Sequence, residues 1–238
     1  MTTSYFLDIG NSYTDVADPN TLAPLKQLKT ETVIKNPEIL GCQKKDLLHV
    51  SSVVPQASQA LKKYYHNVHI LNYQHIPFTN IDLPQPQEIG IDRLLSAYAA
   101  WKHAKKTVVI IDAGTALTFC VVNNAGVYLG GMILPGVDIS SKALNDYTAK
   151  IPYIQVKVQE TLIGKSTKEA VAAGLYHGYK TAINGLIGQY RAQFKDSTVY
   201  GTGNSLRLFN DNLDIDCFDE RLLFKGMKET VFITRAQR

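Results

Sequence analysis

The stretches SYFLDIGNSYTDVA (Ser4–Ala17) and VVIIDAGTALTFCVV (Val108–Val122) share one pattern. In each, an apolar run ends in an aspartate, any residue, a glycine and small polar residues, and a second strand-like run follows. A glycine between two such runs predicts a tight β-hairpin, in which we expect Gly10 and Gly114 to supply positive φ angles that other residues resist. Because the two stretches start about a hundred residues apart, they predict a duplicated lobe with one hairpin in each copy.

The composition is that of an ordinary globular protein. Hydrophobic residues make up 45% and charged residues 19% of the 238 residues, which suits one large domain or two small ones. The longest apolar stretch, Val108–Val122, contains Asp112 and is shorter than the ~20 residues that span a bilayer, so no membrane span is expected. Residues 1–7 lack the basic and long apolar regions of a secretory signal, which favours a cytoplasmic location.

Charge and metal-ligand content argue against two further classes. The formal net charge is only +4, and the basic residues are scattered rather than gathered in a stripe with aromatics, so no nucleic-acid binding is expected. Cys42, Cys120 and Cys217 are odd in number and far apart, which argues against a disulfide framework and a zinc site. The six histidines lack metal-ligand spacing and are expected on the surface or satisfied within the fold.

Strand-like and helix-like segments alternate along the chain, which predicts an α/β fold with a partly parallel sheet. A boundary near Lys105 divides the chain into an N-terminal lobe, residues 1–105, and a C-terminal lobe, residues 106–238. The predicted strands are Ser4–Ile9, His49–Val54, Asn67–Leu71, Thr107–Ile111, Leu117–Val122 and Thr198–Tyr200, and the clearest predicted helices are Arg93–Lys105 and Thr167–Phe194, the latter cut by four glycines.

Asp8 and Asp112 end strongly apolar strands, where a charge costs several kcal/mol of desolvation unless something pairs with it. Mg²⁺ is a suitable partner, since one or two carboxylates commonly hold it together with waters and substrate phosphates. The small residues that follow each glycine leave room for phosphate oxygens to meet N–H groups and hydroxyls. Two such turns favour a phosphate-handling site over a purely structural pair of hairpins.

The stretch QEIGIDRLLSAYAA (Gln87–Ala100) places Asp92 and Arg93 at the mouth of a helix. Asp92 alone would be explained as an acid that complements the helix dipole. Arg93 opposes that dipole, so the pair indicates a role outside the helix. An aspartate can accept a proton from an alcohol and an arginine can hold a carboxylate with two hydrogen bonds, which together describe a site for a hydroxy-acid.

In GVYLGGMILPGVDISSKAL (Gly126–Leu144), two glycine-containing pairs bracket an apolar run. Pro135-Gly136 predicts a turn before a helix. Gly130-Gly131 predicts a close approach of another backbone segment.

These motifs, in this order, resemble the type III pantothenate kinase family, which also contains proteins called Bvg accessory factors. The residues that carry the resemblance are DIGNS (Asp8–Ser12), GIDR (Gly90–Arg93), DAGTALT (Asp112–Thr118), GGMILPG (Gly130–Gly136), TAKIP (Thr148–Pro152), GKSTKEAVAAG (Gly164–Gly174) and LLFKGM (Leu222–Met227). The resemblance covers essentially the whole chain. It implies two ribonuclease-H-like lobes of the acetate and sugar kinase, Hsp70 and actin superfamily, assembled as a homodimer.

The resemblance also implies an activity, the ATP-dependent phosphorylation of pantothenate to 4'-phosphopantothenate, the first step of coenzyme A biosynthesis. The implied cofactors are ATP, Mg²⁺ and a monovalent cation, K⁺ or NH₄⁺. By the same resemblance Asp92 is the catalytic base, Arg93 holds the pantothenate carboxylate, and Thr167 reaches pantothenate across the dimer interface. The remaining implied positions are Tyr73, Gly90 and Ile91 for pantothenate, Asp8, Gly10, Asn11, Ser12, Thr115 and Gly203 for the nucleotide, and Asp8 and Asp112 for metal ions.

The sequence departs from the family pattern at three points. Ser12 stands where many members carry threonine, no basic residue follows the first motif, and Thr202-Gly203-Asn204 replaces the usual Thr-Gly-Gly. Two alternatives therefore stay open beside the pantothenate kinase. One is a kinase or phosphatase for another small molecule, such as a different hydroxy-acid, and the other is a non-catalytic regulatory or accessory protein on the same fold.

Overall fold

The computed structural model describes residues 2–209 and 213–236. The chain divides into two compact units: Met1–His103 with Arg221–Arg238 form the first, and Ala104–Glu220 form the second. The predicted lobes differ from these units at the C-terminus, because the last helix belongs with the N-terminal part of the chain.

The elements follow one another as strands and helices in alternating groups. In chain order, the strands are β1 (Ser4–Ile9), β2 (Tyr13–Ala17), β3 (Pro24–Lys29), β4 (Leu47–Ser52), β5 (Asn67–Ile70), β6 (Asn80–Ile81), β7 (Val108–Ala113), β8 (Ala116–Val122), β9 (Val127–Pro135), β10 (Thr198–Thr202) and β11 (Cys217–Phe218). The helices are α1 (Thr30–Lys35), α2 (Pro55–Tyr64), α3 (Ile91–Ala104), α4 (Val137–Asp146), α5 (Thr167–Gln193) and α6 (Leu222–Ala236), and short 3-10 turns occupy Pro37–Leu40, Tyr73–His75, Pro86–Glu88 and Asn204–Leu208.

The first unit is built on a sheet with the strand order β3-β2-β1-β4-β5. β1 pairs with β2, and β2 with β3, in antiparallel fashion, whereas β1 with β4 and β4 with β5 are parallel. Alternate residues of a strand point to opposite faces. Leu7 and Ile9 of β1 therefore enter a core that also contains Leu48, Val50 and Leu61, and Asp8 projects from the other face.

The second unit repeats this arrangement. Its strands run in the order β11-β10-β7-β8-β9, with β7, β8 and β9 antiparallel and β7, β10 and β11 parallel. Counted from the first strand of each unit, the strands β1–β5 of the first unit and β7–β11 of the second unit both follow the order 3-2-1-4-5, so the predicted duplication is confirmed at the level of topology. Val109, Ile111 and Phe119 enter the core of this unit, and Asp112 again projects from the opposite face.

Helix α5 is continuous from Thr167 to Gln193, although its glycines predicted interruptions. A Cβ atom built on Gly174, Gly178, Gly185 or Gly188 would meet nothing within 4 Å, so these glycines do not mark a close approach within the unit. Glycine costs a helix roughly 1 kcal/mol relative to alanine, which the buried positions Ala172, Tyr176, Ile183 and Ile187 offset by packing.

Helix α6 packs within the first unit. A Cβ atom on Gly226 would lie 2.1 Å from the carbonyl oxygen of Leu95, so only glycine lets α6 come this close to α3. The α6 residues Leu222 and Met227 are buried, and Lys228 Nζ donates to the carbonyl oxygen of Asn20 at 2.8 Å. These contacts explain why residues 221–238 group with the first unit rather than with the predicted second lobe.

The cysteines are free thiols, as the sequence predicted. Burial raises the pKa of the half-buried Cys42 thiol to about 11, which makes it a poor nucleophile. Three of the histidines are neighbours in the first unit: the Nδ1 atoms of His49 and His69 lie 3.3 Å apart, and the His69 and His75 rings are in edge contact. Within residues 2–209 and 213–236, no helix is long and apolar enough to cross a membrane.

Candidate functional site

The first hairpin places Asp8 near the carboxyl end of β1, before a turn closed by a hydrogen bond from the Gly10 N–H to the Tyr13 carbonyl oxygen at 3.0 Å. Asn11 and Ser12 occupy the exposed part of this turn. Thr30 Oγ1 donates to the Gly10 carbonyl oxygen at 2.7 Å, which fixes the turn from behind. The structure therefore brings Asp8, Gly10, Asn11 and Ser12 together at one end of the sheet.

Two polar residues lie beside Asp8 on neighbouring strands. Asp15 of β2 and Ser51 of β4 are its register partners, so their side chains share its face of the sheet. Ser51 Oγ donates to Asp8 Oδ1 at 2.9 Å. Burial raises the pKa of Asp15, and the hydrogen bond from Gln27 Nε2 partly opposes that shift. Sequence reasoning missed both neighbours, because neither forms a motif with Asp8.

The second hairpin holds Asp112 in the same position. Its register partners are Thr118 of β8 and Thr202 of β10, and the Gly114 N–H donates to the Ala116 carbonyl oxygen at 3.0 Å. Thr115 is exposed in the turn. The Gly136 N–H, at the start of α4, donates to the Thr115 carbonyl oxygen at 3.1 Å, which confirms the predicted turn before a helix.

Gly203 lies against Asp112. A Cβ atom there would be 2.5 Å from Asp112 Oδ1, and the residue has a φ of +90°. Asn204 begins the 3-10 turn that follows. The position with positive φ is thus occupied by Gly203, the glycine that this sequence shares with the family motif. Asp112, Thr115 and Gly203 are grouped within the second unit.

Two glycine predictions have opposite outcomes. Among the described residues Gly10 and Gly114 do not have positive φ, so that prediction was wrong. Both turns close with a backbone hydrogen bond of 3.0 Å donated by the glycine N–H, and neither turn needs a positive φ at the glycine to form it. The close approach at Gly130-Gly131 is confirmed, since a Cβ atom on Gly131 would lie 1.7 Å from the Phe119 carbonyl oxygen of the paired strand.

Asp92 and Arg93 lie in the first turn of α3, as predicted. The Arg93 N–H donates to Asp92 Oδ1 at 2.8 Å. A Cβ atom on Gly90 would be 2.4 Å from that same oxygen, so glycine is what allows the carboxylate its position. Burial raises the pKa of Asp92, and the Arg93 N–H and positive charge oppose the shift without cancelling it.

A cavity of about 380 Å³ opens beside this turn in the first unit. Its volume lies in the roughly 300–1,000 Å³ range of small-molecule sites. Three predicted substrate residues, Tyr73, Gly90 and Ile91, line it together. Its other lining residues, which sequence reasoning missed, include Ser52, Val53, Ser58, Leu71, Asn72 and Ile89.

The Tyr73 turn has its own support. Asn72 Oδ1 accepts a hydrogen bond from the Gln74 N–H at 3.0 Å, and His75 Nδ1 accepts one from the Asn72 N–H, also at 3.0 Å. This reciprocal cap fixes a short segment that contributes both Asn72 and Tyr73 to the cavity. No strong sequence pattern marks such a turn, which is why the cavity wall could not be predicted from the chain alone.

Thr167 is the first residue of α5 in the second unit and is exposed. Ser166 caps the helix by accepting a hydrogen bond from the Glu169 N–H at 3.3 Å, and Glu169 in turn accepts one from the Lys165 N–H. Thr167 is thus presented to solvent by a capped helix end, and its predicted contact with pantothenate stays a prediction.

The two hairpin carboxylates fit the donor chemistry that Mg²⁺ and K⁺ require, since both ions prefer oxygen ligands. Within the part of the chain that the structure describes, no group of three or more histidine, cysteine, aspartate or glutamate side chains could by itself hold a metal ion. A hydrated ion held by one carboxylate and by nucleotide phosphates fits this arrangement better than a closed protein site.

Comparison with known proteins adds the family. Residues 6–189 match the family model described as type III pantothenate kinase. The chain belongs to the type III pantothenate kinase family. Among relatives with that name, one from Listeria innocua is 34% identical over 186 residues, which cover 75% of this chain and 72% of the relative. Another, from Persephonella marina, is 36% identical with the same coverage.

Solved structures support the fold of this type III pantothenate kinase family member. A protein of Campylobacter jejuni described as a Baf family transcriptional activator superposes with a TM-score of 0.69 at 22% identity, covering 98% of this chain and 99% of that one. A 2-dehydro-3-deoxygalactonokinase protein of Sinorhizobium meliloti gives 0.61 at 10% identity, covering 97% and 99%. At these identities the likeness concerns the fold alone, which is the predicted ribonuclease-H-like fold.

Proposed function

We propose that this protein transfers the γ-phosphoryl group of ATP to the primary hydroxyl of pantothenate, the first step of coenzyme A biosynthesis. The observation that carries the proposal is the cavity beside the start of α3, where Tyr73, Gly90 and Ile91 meet next to the Asp92 turn. Family membership supports the same reaction and the use of ATP. The acceptor must carry an alcohol for Asp92 and a carboxylate for Arg93, and pantothenate has both.

Asp92 serves as the base in this proposal. In the transfer, the bond between the γ-phosphorus and the bridging oxygen of ATP breaks, the acceptor oxygen bonds to that phosphorus, and the hydroxyl proton passes to Asp92. Phosphoryl transfer has a loose transition state, so the protein mainly positions groups and neutralises charge. Burial raises the pKa of Asp92, which makes the carboxylate a somewhat better proton acceptor than an exposed one.

The remaining roles are distributed over the two hairpins. Asp8 is proposed to hold Mg²⁺, with the Gly10, Asn11 and Ser12 turn contacting the nucleotide phosphates. In the second unit, Asp112 is proposed to bind the monovalent cation, K⁺ or NH₄⁺, and Thr115 and Gly203 to contact the nucleotide. When bound, these ions would supply charge neutralisation for the phosphates. The cytoplasm is the proposed location, because ATP is available there.

We also propose a homodimer that buries one face of α5. Small residues recur along this helix at spacings of three and four, which places them on one face, and each is exposed. They are Thr167, Ala170, Gly174, Gly178, Thr181, Gly185, Gly188 and Ala192. The five most exposed large hydrophobic side chains of the described residues precede this helix: Ile133, Tyr147, Val158, Leu162 and Ile163. Thr167 lies on the same small-residue face, so a dimer formed through this face would place Thr167 at the interface.

Replacing Gly178 with leucine should weaken the dimer without harming the protomer. A Cβ atom there meets nothing within 4 Å of the same chain, and leucine favours helix over glycine by close to 1 kcal/mol, so the thermal stability of the monomer should not fall. A leucine side chain would prevent close approach of a second α5. Sedimentation should show a monomer for Gly178→Leu and a dimer for Gln193→Leu, an exposed position off this face. A dimeric Gly178→Leu protein would exclude this face.

The function itself is tested by ADP release from the purified protein with ATP, Mg²⁺ and K⁺, with and without pantothenate. Mass spectrometry should identify 4'-phosphopantothenate, and omission of K⁺ should lower the rate. Release that depends on another acceptor, such as 2-dehydro-3-deoxygalactonate, would instead indicate a kinase for a different hydroxy-acid. A folded protein that binds Mg·ADP but turns over none of these acceptors would support the non-catalytic alternative.

A further inference from the structure

We propose that Ser51 is a positioning residue for the nucleotide-binding carboxylate Asp8, so that its hydroxyl sets the affinity for the Mg²⁺ complex of the nucleotide. The inference rests on the proposed function for the role of Asp8. Ser51 lies 43 residues from Asp8 along the chain and belongs to none of the motifs that identify the family.

The geometry joins the two residues directly. β1 and β4 are parallel neighbours, and Asp8 and Ser51 are register partners whose Oγ to Oδ1 distance is 2.9 Å. Ser51 is fully buried, with 0% of its surface exposed. A buried hydroxyl needs a hydrogen-bond partner, and a bond to a charged carboxylate is among the stronger kinds. The buried Ser51 hydroxyl therefore fixes the position of one carboxylate oxygen of Asp8.

Asp8 needs this support because of its other neighbour. Asp15 lies directly opposite on β2, on the same face of the sheet. Side chains of directly opposed residues have Cβ atoms roughly 5 Å apart, and like charges at that distance destabilise each other. A hydroxyl that donates to one oxygen of Asp8 fixes the orientation of this carboxylate beside Asp15, and a metal-bound nucleotide requires a fixed carboxylate.

The second unit has a hydroxyl at the same topological position. Thr202 of β10 is the register partner of Asp112, and it too is buried, with 5% of its surface exposed. In both copies of the repeat, then, the strand parallel to the acid strand carries a hydroxyl beside the acid. This recurrence at equivalent positions indicates a function of the repeat rather than an incidental buried serine.

The segment that follows Ser51 is held in place by hydrogen bonds other than the one between Ser51 and Asp8. The Val53 N–H donates to the Ile9 carbonyl oxygen at 3.1 Å, and Ser58 Oγ donates to Ser52 Oγ at 2.9 Å. These bonds do not involve the Ser51 side chain. Loss of the Ser51 hydroxyl should therefore leave the backbone in place and change only the carboxylate that it contacts.

The experiment is calorimetric titration of the full chain with ADP, in the presence and absence of Mg²⁺, for Ser51→Ala and Ser51→Thr. Ser96→Ala is the matched control, because Ser96 is also a buried serine of the first unit, at 1% exposure. We expect Ser51→Ala to raise the Kd for Mg·ADP by about tenfold, the scale of a hydrogen bond to a charged group, with little change for ADP alone. Ser51→Thr keeps the hydroxyl and should restore most of the affinity.

These outcomes do not depend on the acceptor. A protein that fails to phosphorylate pantothenate but shows the Mg²⁺-dependent loss in Ser51→Ala would contradict the proposed function and support the role of Ser51. Equal Mg·ADP affinities for Ser51→Ala and Ser96→Ala would overturn the inference, as would an equal loss with and without Mg²⁺. In turnover assays the same variant should raise the KM for Mg·ATP and leave the KM for the acceptor unchanged.

Discussion

Replacing Asp92 with asparagine is expected to lower pantothenate-dependent turnover by about 100-fold or more, the scale of a positioned acid-base group. Asparagine keeps the Oδ1 atom that accepts the Arg93 N–H at 2.8 Å, so the start of α3 should be preserved. What is lost is the negative charge that orients the acceptor hydroxyl and takes its proton. Steady-state ADP release with pantothenate measures the effect, and full activity in Asp92→Asn would remove this residue from the mechanism.

The pH dependence of the unmodified protein should report the same group. Burial raises the pKa of Asp92, and only the ionised form can accept the proton, so activity should fall as the pH drops through that raised pKa. In a plot of kcat/KM against pH, the pKa of the acid limb is therefore expected above the value near 4 that is typical of an exposed aspartate. The residual activity of Asp92→Asn should lack this limb, and an identical limb in both proteins would assign it to another group.

The same substitution should stabilise the fold at neutral pH. Because the pKa of Asp92 is raised in the folded state, the buried carboxyl contributes most to stability when it is protonated, and this contribution is lost as the pH rises through the folded-state pKa. Asparagine does not ionise, so the Asp92→Asn variant should not lose stability as the pH rises. The Tm of Asp92→Asn should exceed that of the unmodified protein at pH 7.5, and the difference should shrink toward pH 4. A lower Tm at pH 7.5 would show that the Asp92 charge is compensated within the fold.

Asp8→Asn is expected to have the second large effect, a loss of roughly 10²- to 10³-fold in kcat/KM for Mg·ATP, as for other groups that stabilise charge on a reacting phosphate. Asparagine has nearly the same shape and can still accept the Ser51 hydroxyl, so the fold should survive. The lost charge is the one proposed to hold Mg²⁺. Kinetic titration with Mg·ATP at saturating pantothenate measures the change.

Asp15→Asn provides the control for Asp8→Asn. Asp15 lies opposite Asp8 on β2, and its asparagine variant can still accept the hydrogen bond from Gln27. Removing this neighbouring charge should leave the affinity for Mg·ATP unchanged or improve it. If both variants lost activity equally, the effect of Asp8→Asn would reflect the charge of the whole sheet edge rather than a role of Asp8.

The sequence predicted what depends on local pattern. The two hairpins around Asp8 and Asp112, the start of α3 at the GIDR motif and the close approach at Gly131 all follow from short runs of residues, and the structure has each of them. The order of the motifs also identified the family. These features were accessible because the residues that determine them are adjacent in the chain.

The remaining features depend on partners that are distant in sequence. Ser51 reaches Asp8 only because β4 pairs with β1, and Tyr73 joins Gly90 only through a cavity wall built from several turns. The place of α6 depends on a glycine contact with a carbonyl of α3, and no periodicity within α6 indicates which unit it joins. Positive φ at Gly10 and Gly114 was expected from turn chemistry alone, and the observed hydrogen bonds close both turns without it.

The position of α6 also bears on the order in which the chain can fold during synthesis. Domains generally fold as units as they leave the ribosome. The second unit, Ala104–Glu220, is complete in the emerging chain before Leu222–Ala236 has been made, whereas the first unit must wait for this helix to cover β1, β4 and α3. The later-encoded unit can therefore finish folding first, and the sheet that carries Asp8 is covered only after α6 has been made.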